Sequence, residues 1–499
     1  MRKGKESRHL LLAALIAVGF ILRVTALSTR GIWYDDAFSF FLAQRDPTAI
    51  IAGTAADTMP PLYYFALHLW MILGTAVVTL RLLNVLVSIS IVFLTFKLAN
   101  LLFDTRVAAT ATLLTVASPF HIYHAQELRM YGFLCLNLLL YLLFFSRIYL
   151  KRVDHAWLDW IGLTTAGALA MYSHNLAAFT LLSADLLLLA KRRWRLLGHL
   201  MLAQGGILLL ASPWLVMVPG QIAKVQRAFW TPRPGLLEVV QALITFHTDL
   251  PLPRWMLGIA VAVTVLFLTV VCYNLLRKRR QDPRVQLLAA FTCLPPMLLF
   301  ALSYAMRPLF VPRGFILSSV AYYILAAVVL VDHAPRLVHS TLLVSFVAAA
   351  LLALPSTYTF GEFPRSPFRA AVGFLQTEIR SGDVVLHDNK LSYLPMHYYG
   401  RDLPQVFLPD EPGSHNDTLA PATQDAMMIW PIKGLQQVAE DTPRLWFVFF
   451  ARTAKEWEER RGQHPVLEKL KRKRQVVDRA TFNDLKIMLF ERQHDSVGR

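Results

Sequence analysis

The stretch Gly31-Ile32-Trp33-Tyr34-Asp35-Asp36-Ala37-Phe38-Ser39 follows directly on the first apolar run of the sequence. It places two adjacent carboxylates at a boundary between apolar and polar sequence. Carboxylates are costly at membrane depth, so a pair beside a membrane-spanning segment indicates a functional site. We therefore take Asp35 and Asp36 as the first candidate site residues.

The composition is that of a membrane protein. Of the 499 residues, 55% are hydrophobic, and the mean hydropathy is +0.44, which is well above the range of ordinary soluble domains. The formal net charge is +17, but many basic residues lie in short loops between apolar runs, a distribution that does not indicate nucleic-acid binding. The three cysteines, Cys135, Cys272 and Cys293, all lie in apolar runs and show neither a disulfide framework nor metal spacing.

Eleven apolar segments are predicted to cross the membrane as helices, since each approaches the roughly 20 residues that a span requires. They are residues 10–28, 80–101, 107–121, 131–149, 157–173, 175–190, 197–217, 255–275, 286–304, 314–332 and 337–354. Every second loop is basic, as is the N-terminus. This predicts a multi-pass protein of the cell (inner or plasma) membrane with a cytoplasmic N-terminus and an extracytoplasmic C-terminal region. A cleaved signal peptide is the alternative for the first segment, but its length favours a retained helix.

The remaining sequence predicts two long external loops and a second domain. Residues 29–79 form a loop that carries the acidic pair, with an interfacial or re-entrant helix over Pro61–Leu73, and residues 218–254 form another. Strand-like runs alternate with helical patterns after residue 354. The strand-like runs are 383–386, 445–450 and 485–490, and the helical patterns are 367–380, 453–461 and 465–472. We predict a membrane domain over 1–354 and a small α/β domain with a partly parallel sheet over 355–499.

Acidic and basic side chains converge on the predicted outer face. They are Asp35, Asp36, Asp57, Arg81, His121, His124, Gln126, Glu127, Arg129, Tyr131, His174, Asn175, Arg307 and Arg313. Arginine binds phosphate oxygens in a bidentate manner, and a carboxylate can take the proton of an acceptor hydroxyl. Attack at C1 of a sugar passes through an oxocarbenium-like state that needs such a carboxylate. The set therefore fits transfer of a group from a phosphate-bearing lipid.

Several of these residues have a structural alternative. Asp36 could act as a helix N-cap or first-turn acid, which makes Asp35 the better catalytic candidate. Glu127 and Arg129 are two residues apart and could each pair elsewhere to anchor a loop. His121 and His124 are spaced for a metal but have no clear third ligand, and His174 could simply end a helix.

Five motifs occur in the order found in one glycosyltransferase family. They are Trp33–Ser39, Met59-Pro60-Pro61-Leu62-Tyr63-Tyr64, Arg81-Leu82-Leu83-Asn84, Ser118–Tyr131 and Pro312-Arg313-Gly314-Phe315. Together they resemble the bacterial family 39-like glycosyltransferases, which are relatives of the protein O-mannosyltransferases and of the lipid A aminoarabinose transferase, all with the GT-C fold. Three features depart from the family pattern: Asp36 replaces a glutamate, Met59 replaces a histidine or lysine, and Gly314-Phe315 loosens the match to the family's Pro-Arg-Tyr element.

The resemblance implies a polyprenyl-phosphate-linked sugar donor, an extracytoplasmic active site and inversion at C1, with Asp35 as general base. It implies a lipid, glycan or protein acceptor and contact with membrane lipids. We expect no cofactor, because the mannosyltransferase branch generally uses none, with a divalent metal, as in related oligosaccharyltransferases, as the alternative. We predict Asp35 and Asp36 as catalytic residues. The predicted donor-phosphate or substrate-binding residues are Arg81, Glu127, Arg129, Tyr131, His174 and Arg313.

A lipid or glycolipid transporter is the alternative function. It would need polar residues across the bilayer midplane, and Asp185 is the main candidate for such a residue. The concentration of acids and arginines on one face favours the enzyme.

Overall fold

The computed structural model describes residues 2–150, 156–227, 231–279, 281–332, 335–359, 366–412, 414, 417–436, 438 and 442–492. All eleven predicted spans coincide with helices. These are α1 (Arg2–Val24), α5 (Val77–Leu102), α6 (Thr105–Ala117), α8 (Tyr131–Tyr149), α9 (Ala156–Ser173), α10 (Ala177–Ala190), α11 (Trp194–Leu215), α14 (Arg254–Asn274), α15 (Pro283–Ala305), α16 (Ile316–Asp332) and α17 (Arg336–Thr359).

Eight helices within the described ranges are long and apolar enough to cross a membrane, judged by length and composition. They contain α1, α5, α8, α11, α14, α15, α16 and α17. The other three predicted spans, α6, α9 and α10, have 13, 18 and 14 residues. Helix α16 lies at the centre of the membrane helices, because 94% of its apolar stretch is buried inside the protein. Most of the other long helices expose a broad apolar face.

The loop that carries the acidic pair is folded into short helices. These are α2 (Tyr34–Ala43), α3 (Pro47–Ala56) and α4 (Leu62–Trp70), and a 3₁₀ turn over Met71–Leu73 follows the last of them. Asp46 caps α3 by accepting hydrogen bonds from the Thr48 and Ala49 amides, both at 3.0 Å. The apolar segment Leu62–Leu73 is only 12 residues long, too short to span a bilayer.

Three further helices were not predicted from the sequence: one follows α6, and two lie in the second predicted external loop. Helix α7 (Pro119–Gln126) breaks away from α6 at Ser118, whose hydroxyl accepts a hydrogen bond from the His121 amide. Helices α12 (Val218–Arg227) and α13 (Leu236–Thr248) fold the stretch that the sequence left as an external loop.

Arg23 lies fully buried near the end of α1 and joins three helices. Its Nε donates to Ser88 Oγ at 2.7 Å, Nη1 donates to the Gly19 and Val116 carbonyls, and Nη2 donates to the Thr115 carbonyl. The arginine therefore satisfies carbonyl groups of α1 and α6 that bury their polar atoms away from water.

The C-terminal part contains one five-stranded sheet in the order β2-β1-β3-β5-β4. The strands are β1 (Val384–His387), β2 (Gln405–Phe407), β3 (Arg444–Phe450), β4 (Arg474–Phe482) and β5 (Leu485–Arg492). β1 is parallel to β2 and β3, whereas β5 is antiparallel to β3 and β4. The predicted partly parallel sheet is therefore present. The short β2 and the polar, alternating β4 were missed from the sequence.

Helices cover both faces of this sheet, and two of them pack on the short helices of the loop that carries the acidic pair. They are α18 (Phe368–Glu378), α19 (Lys390–Tyr399), α20 (Pro421–Met427), α21 (Ala451–Arg461) and α22 (Pro465–Lys473). Helix α19 packs on α2, and α20 packs on α3. Trp33, directly before α2, lies against Phe368 and Phe450 at ring distances of 5.7 and 6.2 Å. The C-terminal part therefore contacts the segment with the acidic pair both at Trp33, directly before α2, and along α2 itself.

Replacing Arg23 with leucine should lower the stability of the membrane helices by about 3 kcal/mol, because the buried carbonyls would lose their donors. Thermal unfolding of the purified protein in detergent measures the loss. Arg106→Leu is the matched control, since Arg106 is exposed on α6 and should change the unfolding temperature little. Equal effects of the two substitutions would contradict the structural role of Arg23.

Candidate active site

Asp36 is buried and makes contacts with three separate segments. Its carboxylate lies 3.6 Å from Nη2 of Arg81 on α5. Asp36 Oδ1 accepts a hydrogen bond from the Leu128 amide at 2.8 Å, and Oδ2 accepts one from the Trp33 amide at 3.3 Å. The last of these contacts is the first-turn capping that the sequence offered as the structural alternative.

Arg81 holds the backbone that leads into α2. Its Nη1 donates to the carbonyls of Leu27 and Arg30 at 2.8 and 2.6 Å, and its Nη2 donates to the Gly31 carbonyl at 3.1 Å. The side chain is completely buried. The predicted binding of donor phosphate by Arg81 and the predicted catalytic role of Asp36 stay predictions, while their contacts favour a positioning role for both.

Asp35 is placed differently from its neighbour. Its side chain is 34% exposed, and Oδ1 lies 3.9 Å from Nη1 of the buried Arg129. A helix turns about 100° per residue, so the two carboxylates leave α2 in different directions. Asp35 therefore presents a solvent-accessible carboxylate beside a buried guanidinium.

The turn that carries Arg129 is fixed from α5. Asn84 Nδ2 donates to the carbonyls of both Glu127 and Arg129. The Nε of Arg129 is buried and has no hydrogen-bond acceptor among the described residues. A buried donor without a partner is rare and costly, so this guanidinium is poised to bind an anion.

Glu127 forms a compact buried group with two side chains of α7. His124 Nδ1 donates to Glu127 Oε2 at 3.0 Å, and the Tyr123 hydroxyl donates to Oε1 at 3.4 Å. Burial acts to raise the pKa of Glu127, but the hydrogen bond from His124 and the nearby Arg313 and Arg30 guanidinium groups hold it below its usual range. Glu127 is therefore ionised at neutral pH.

Tyr131 lies in the middle of the other predicted residues. The Arg313 guanidinium carbon is 5.2 Å from its ring centroid, and the rings of His124 and His174 lie 5.2 and 5.7 Å away. Burial, reinforced by the Arg129 and Arg313 charges, lowers the pKa of His174 to about 3. His174 is then neutral, and its Nδ1 accepts a hydrogen bond from the Leu176 amide at 3.1 Å.

The structure therefore brings most of the predicted residues to one place. Asp35, Glu127, Arg129, Tyr131, His174 and Arg313 lie close together in one group, which we call the Asp35 site, and Asp36 and Arg81 lie buried beside it. Asp185 lies elsewhere, where its carboxylate accepts a hydrogen bond from Gln204 Nε2 at 2.7 Å.

The sequence did not point to Arg30 or Asp249. Arg30 donates to the Tyr123 carbonyl at 3.1 Å, and its guanidinium carbon lies 4.2 Å from the centre of the Tyr123 ring. Burial raises the pKa of Asp249 to about 7, which outweighs the lowering by the Leu250 amide and Arg30, and Glu127 adds to the rise. Only the position of Asp249 directly after α13 would have drawn attention to it.

Two ion pairs near Tyr34 were not predicted from the sequence, although Asp57 itself was among the residues expected on the outer face. Lys224 on α12 forms an ion pair with Asp57 at 3.0 Å, and the buried Lys390 on α19 forms one with Asp410. The Tyr34 hydroxyl has its pKa raised by burial and then by the carboxylates around it, including Asp57, Asp35 and Asp410. Side chains from both parts of the chain therefore lie around Tyr34, the residue directly before Asp35.

The described residues do not offer a metal site. No three histidine, cysteine or acidic side chains among them come together as ligands. His121 Nε2 contacts Ser319 Oγ at 2.8 Å, whereas His124 faces Glu127, so the two histidines do not share a ligand position. We therefore derive no step through a metal.

Part of the sequence and the fold resemble known proteins. Residues 58–217 match the family described as dolichyl-phosphate-mannose-protein mannosyltransferase. No curated protein matches the whole sequence significantly. Among solved structures, ArnT from Cupriavidus metallidurans in the apo state matches with a TM-score of 0.64 and 13% identity, over 96% of this chain and 97% of that one.

Two further structures show the same fold. ArnT from Cupriavidus metallidurans bound to undecaprenyl phosphate has a TM-score of 0.64 and 14% identity, with 96% and 97% of the chains covered. The oligosaccharyltransferase of Archaeoglobus fulgidus, tethered to an acceptor peptide, has a TM-score of 0.54 and 10% identity, over 98% of this chain and 74% of that one.

The fold and the long apolar helices define a multi-pass membrane protein with the GT-C fold. The match of residues 58–217 to the mannosyltransferase family agrees with the resemblance to the family 39-like glycosyltransferases.

Breaking the Asp36–Arg81 pair on one side should destabilise the fold by about 3 kcal/mol, because the remaining charge would stay buried without its partner. Asp36→Asn, Arg81→Gln and the double variant form a double-mutant cycle, measured by thermal unfolding. The double variant should lose clearly less than the sum of the two single losses.

The exposed pair Lys455–Glu459 on α21 provides the control cycle, since both side chains are mostly in water. Its coupling should be close to zero. Additive losses at Asp36 and Arg81 would show that the buried pair is not an energetic unit.

Asp249 should make stability depend on pH. Its pKa of about 7 in the folded protein exceeds the unfolded value of about 3.9, so the folded state binds more protons between these values. Stability should therefore fall as the pH rises from about 4 to about 7. Asp249→Asn should flatten this part of the curve of unfolding temperature against pH. Parallel curves for the variant and the parent protein would refute the assignment.

Proposed function

We propose that this protein transfers a sugar from a polyprenyl-phosphate donor to a hydroxyl or amine acceptor, inverting the configuration at C1. One observation carries the assignment to the Asp35 site: the accessible Asp35 carboxylate lies 3.9 Å from the guanidinium of the buried Arg129. A proton acceptor and a phosphate-binding cation are thus adjacent. The family match over residues 58–217 supports the reaction class, and the bound undecaprenyl phosphate of ArnT supports a lipid-phosphate donor.

Asp35 is the general base in this mechanism. It is the carboxylate of the adjacent pair that solvent and substrate can reach, because Asp36 is occupied by Arg81 and two backbone amides. A positioned base of this kind contributes about 10²- to 10⁴-fold to a rate. Asp36 positions Asp35 by fixing the start of α2.

Arg129 and Arg313 bind the donor phosphate. Both guanidinium groups border Tyr131 and His174, and the unpaired Nε of Arg129 is available to an anion. Neutral His174 can donate from Nε2, because its Nδ1 accepts a backbone hydrogen bond. Glu127 balances the positive charge of the two arginines.

The reaction follows from these positions. The acceptor oxygen or nitrogen attacks C1 of the sugar, and Asp35 takes its proton. The bond between C1 and the phosphate oxygen breaks on the opposite face, and polyprenyl phosphate leaves with both electrons of that bond. The arginines stabilise the negative charge that develops on the departing phosphate. The products are the glycosylated acceptor and polyprenyl phosphate.

The site faces the extracytoplasmic side in this proposal. The basic loops and N-terminus predict a cytoplasmic N-terminus, which leaves the acidic pair and the C-terminal sheet outside the cell. The donor then enters laterally from the outer leaflet, and the acceptor is a lipid, a glycan or a protein of the cell envelope.

Asp35→Asn should reduce turnover at least about 100-fold, because the base would be lost while the side-chain shape is kept. Purified protein in lipid is incubated with a panel of polyprenyl-phosphate sugars and candidate acceptors, with and without a chelator. Release of polyprenyl phosphate is the measured quantity. The chelator arm determines directly whether a divalent metal is required.

Asp46→Asn is the matched control. Asp46 is an exposed aspartate that caps α3, and asparagine caps a helix equally well, so turnover should be unchanged. Equal turnover of Asp35→Asn and the parent protein would refute the proposed base. Lipid translocation without release of polyprenyl phosphate would favour the transporter instead.

A further inference from the structure

A cavity of about 550 Å³ lies between the C-terminal part and the membrane domain, and no residue of the Asp35 site lines it. We call it the interface cavity. Its wall on one side comes from Phe40 of α2 and from Thr75–Val77 at the start of α5. Its other wall comes from α18 and α19, including Arg369, Tyr398 and Arg401.

Two arginines border the interface cavity without a carboxylate within 4 Å among the described residues. Arg401 is held at the rim by the rings of Phe40 and Phe41, at 5.0 and 5.6 Å, and it donates to Gln44 Oε1 at 3.2 Å. Arg369 lies in the first turn of α18 and is exposed. Two guanidinium groups at one cavity suit a phosphate group.

The cavity lies where α5 enters the membrane. Thr75, Ala76 and Val77 line it, and Val77 is also the first residue of the span Val77–Leu102. The neighbouring apolar side chains Ile72 and Leu73 are 81% and 65% exposed. Exposed apolar residues beside cationic ones are typical of a surface that contacts lipid tails and headgroups together.

We propose that the interface cavity binds the phosphate headgroup of an anionic membrane phospholipid, with its acyl chains lying along Ile72 and Leu73. The phosphate contacts Arg369 and Arg401. The lipid is a bound component and not a reactant, because neither Asp35 nor Arg129 lines the cavity. This assignment is independent of the proposed sugar transfer.

A lipid at this place would strengthen the joint between the two parts of the chain. The Tyr399 hydroxyl accepts a hydrogen bond from the Ile32 amide at 2.8 Å, and the Tyr398 hydroxyl donates to the Thr75 carbonyl at 3.2 Å. Both tyrosines line the interface cavity. Its occupant therefore touches the residues that tie α19 to the segment before α2 and to the start of α5.

The test is a titration of the full-length protein in detergent with phosphatidylglycerol, and separately with phosphatidylcholine, read by native mass spectrometry. Phosphatidylglycerol should bind more tightly. The double variant Arg369→Gln/Arg401→Gln should weaken its binding about 30-fold, the effect expected for two cations near a lipid phosphate. Lys471→Gln/Arg479→Gln, which removes two exposed charges elsewhere, should leave it unchanged.

Gly373→Phe provides a second variant that keeps both arginines. A Cβ at Gly373 meets no atom within 4 Å, and Gly373 lines the cavity, so the ring should fill the space without disturbing α18. It should also reduce phosphatidylglycerol binding. Unchanged binding in both variants, or equal binding of the two lipids, would overturn the proposal. Inorganic phosphate that displaces the lipid at millimolar concentration would show a free-phosphate site instead, and would also overturn it.

Discussion

The arrangement of the site depends on the buried ion pair between Asp36 and Arg81. Removing two charges from water is costly, and the cost is offset only where hydrogen bonds satisfy the remaining donors and acceptors. Here the partners come from the loop before α2, from α5 and from the turn at Leu128. Segments far apart in the sequence must therefore meet in one geometry, and this geometry places Asp35 beside Arg129.

The adjacent aspartates show how one helix gives two identical residue types different roles. The angular step of the helix turns Asp36 towards the interior, while Asp35 stays partly exposed beside Arg129. Asp36 has a cation and two amides as partners, whereas Asp35 keeps an accessible carboxylate with a guanidinium 3.9 Å away. A rigid buried residue next to a reactive one is an economical way to orient the reactive group.

The C-terminal part contributes to the site although its strands lie far along the chain. The Trp33 ring rests on Phe368 and Phe450, and Lys390 and Asp410 approach the edge near Tyr34. Opening the joint would therefore disturb the start of α2. The C-terminal part stabilises the start of α2 through the contacts of Trp33, and the buried Asp36–Arg81 pair stabilises it from the side of α5.

Hydropathy and the order of motifs were sufficient to predict the positions of the long apolar helices, the GT-C fold and the family resemblance, because these features are carried by local runs of sequence. Three of the eleven predicted spans form helices that are not among the eight long, apolar ones of the described residues. Local patterns also named Asp35, Arg129 and Arg313. They could not reveal that Arg81 holds a loop, that Asp249 approaches Glu127, or that β2 and β4 join the sheet. Those features depend on contacts between distant segments, and only the packed chain sets which side chains are buried, paired or left open to a substrate.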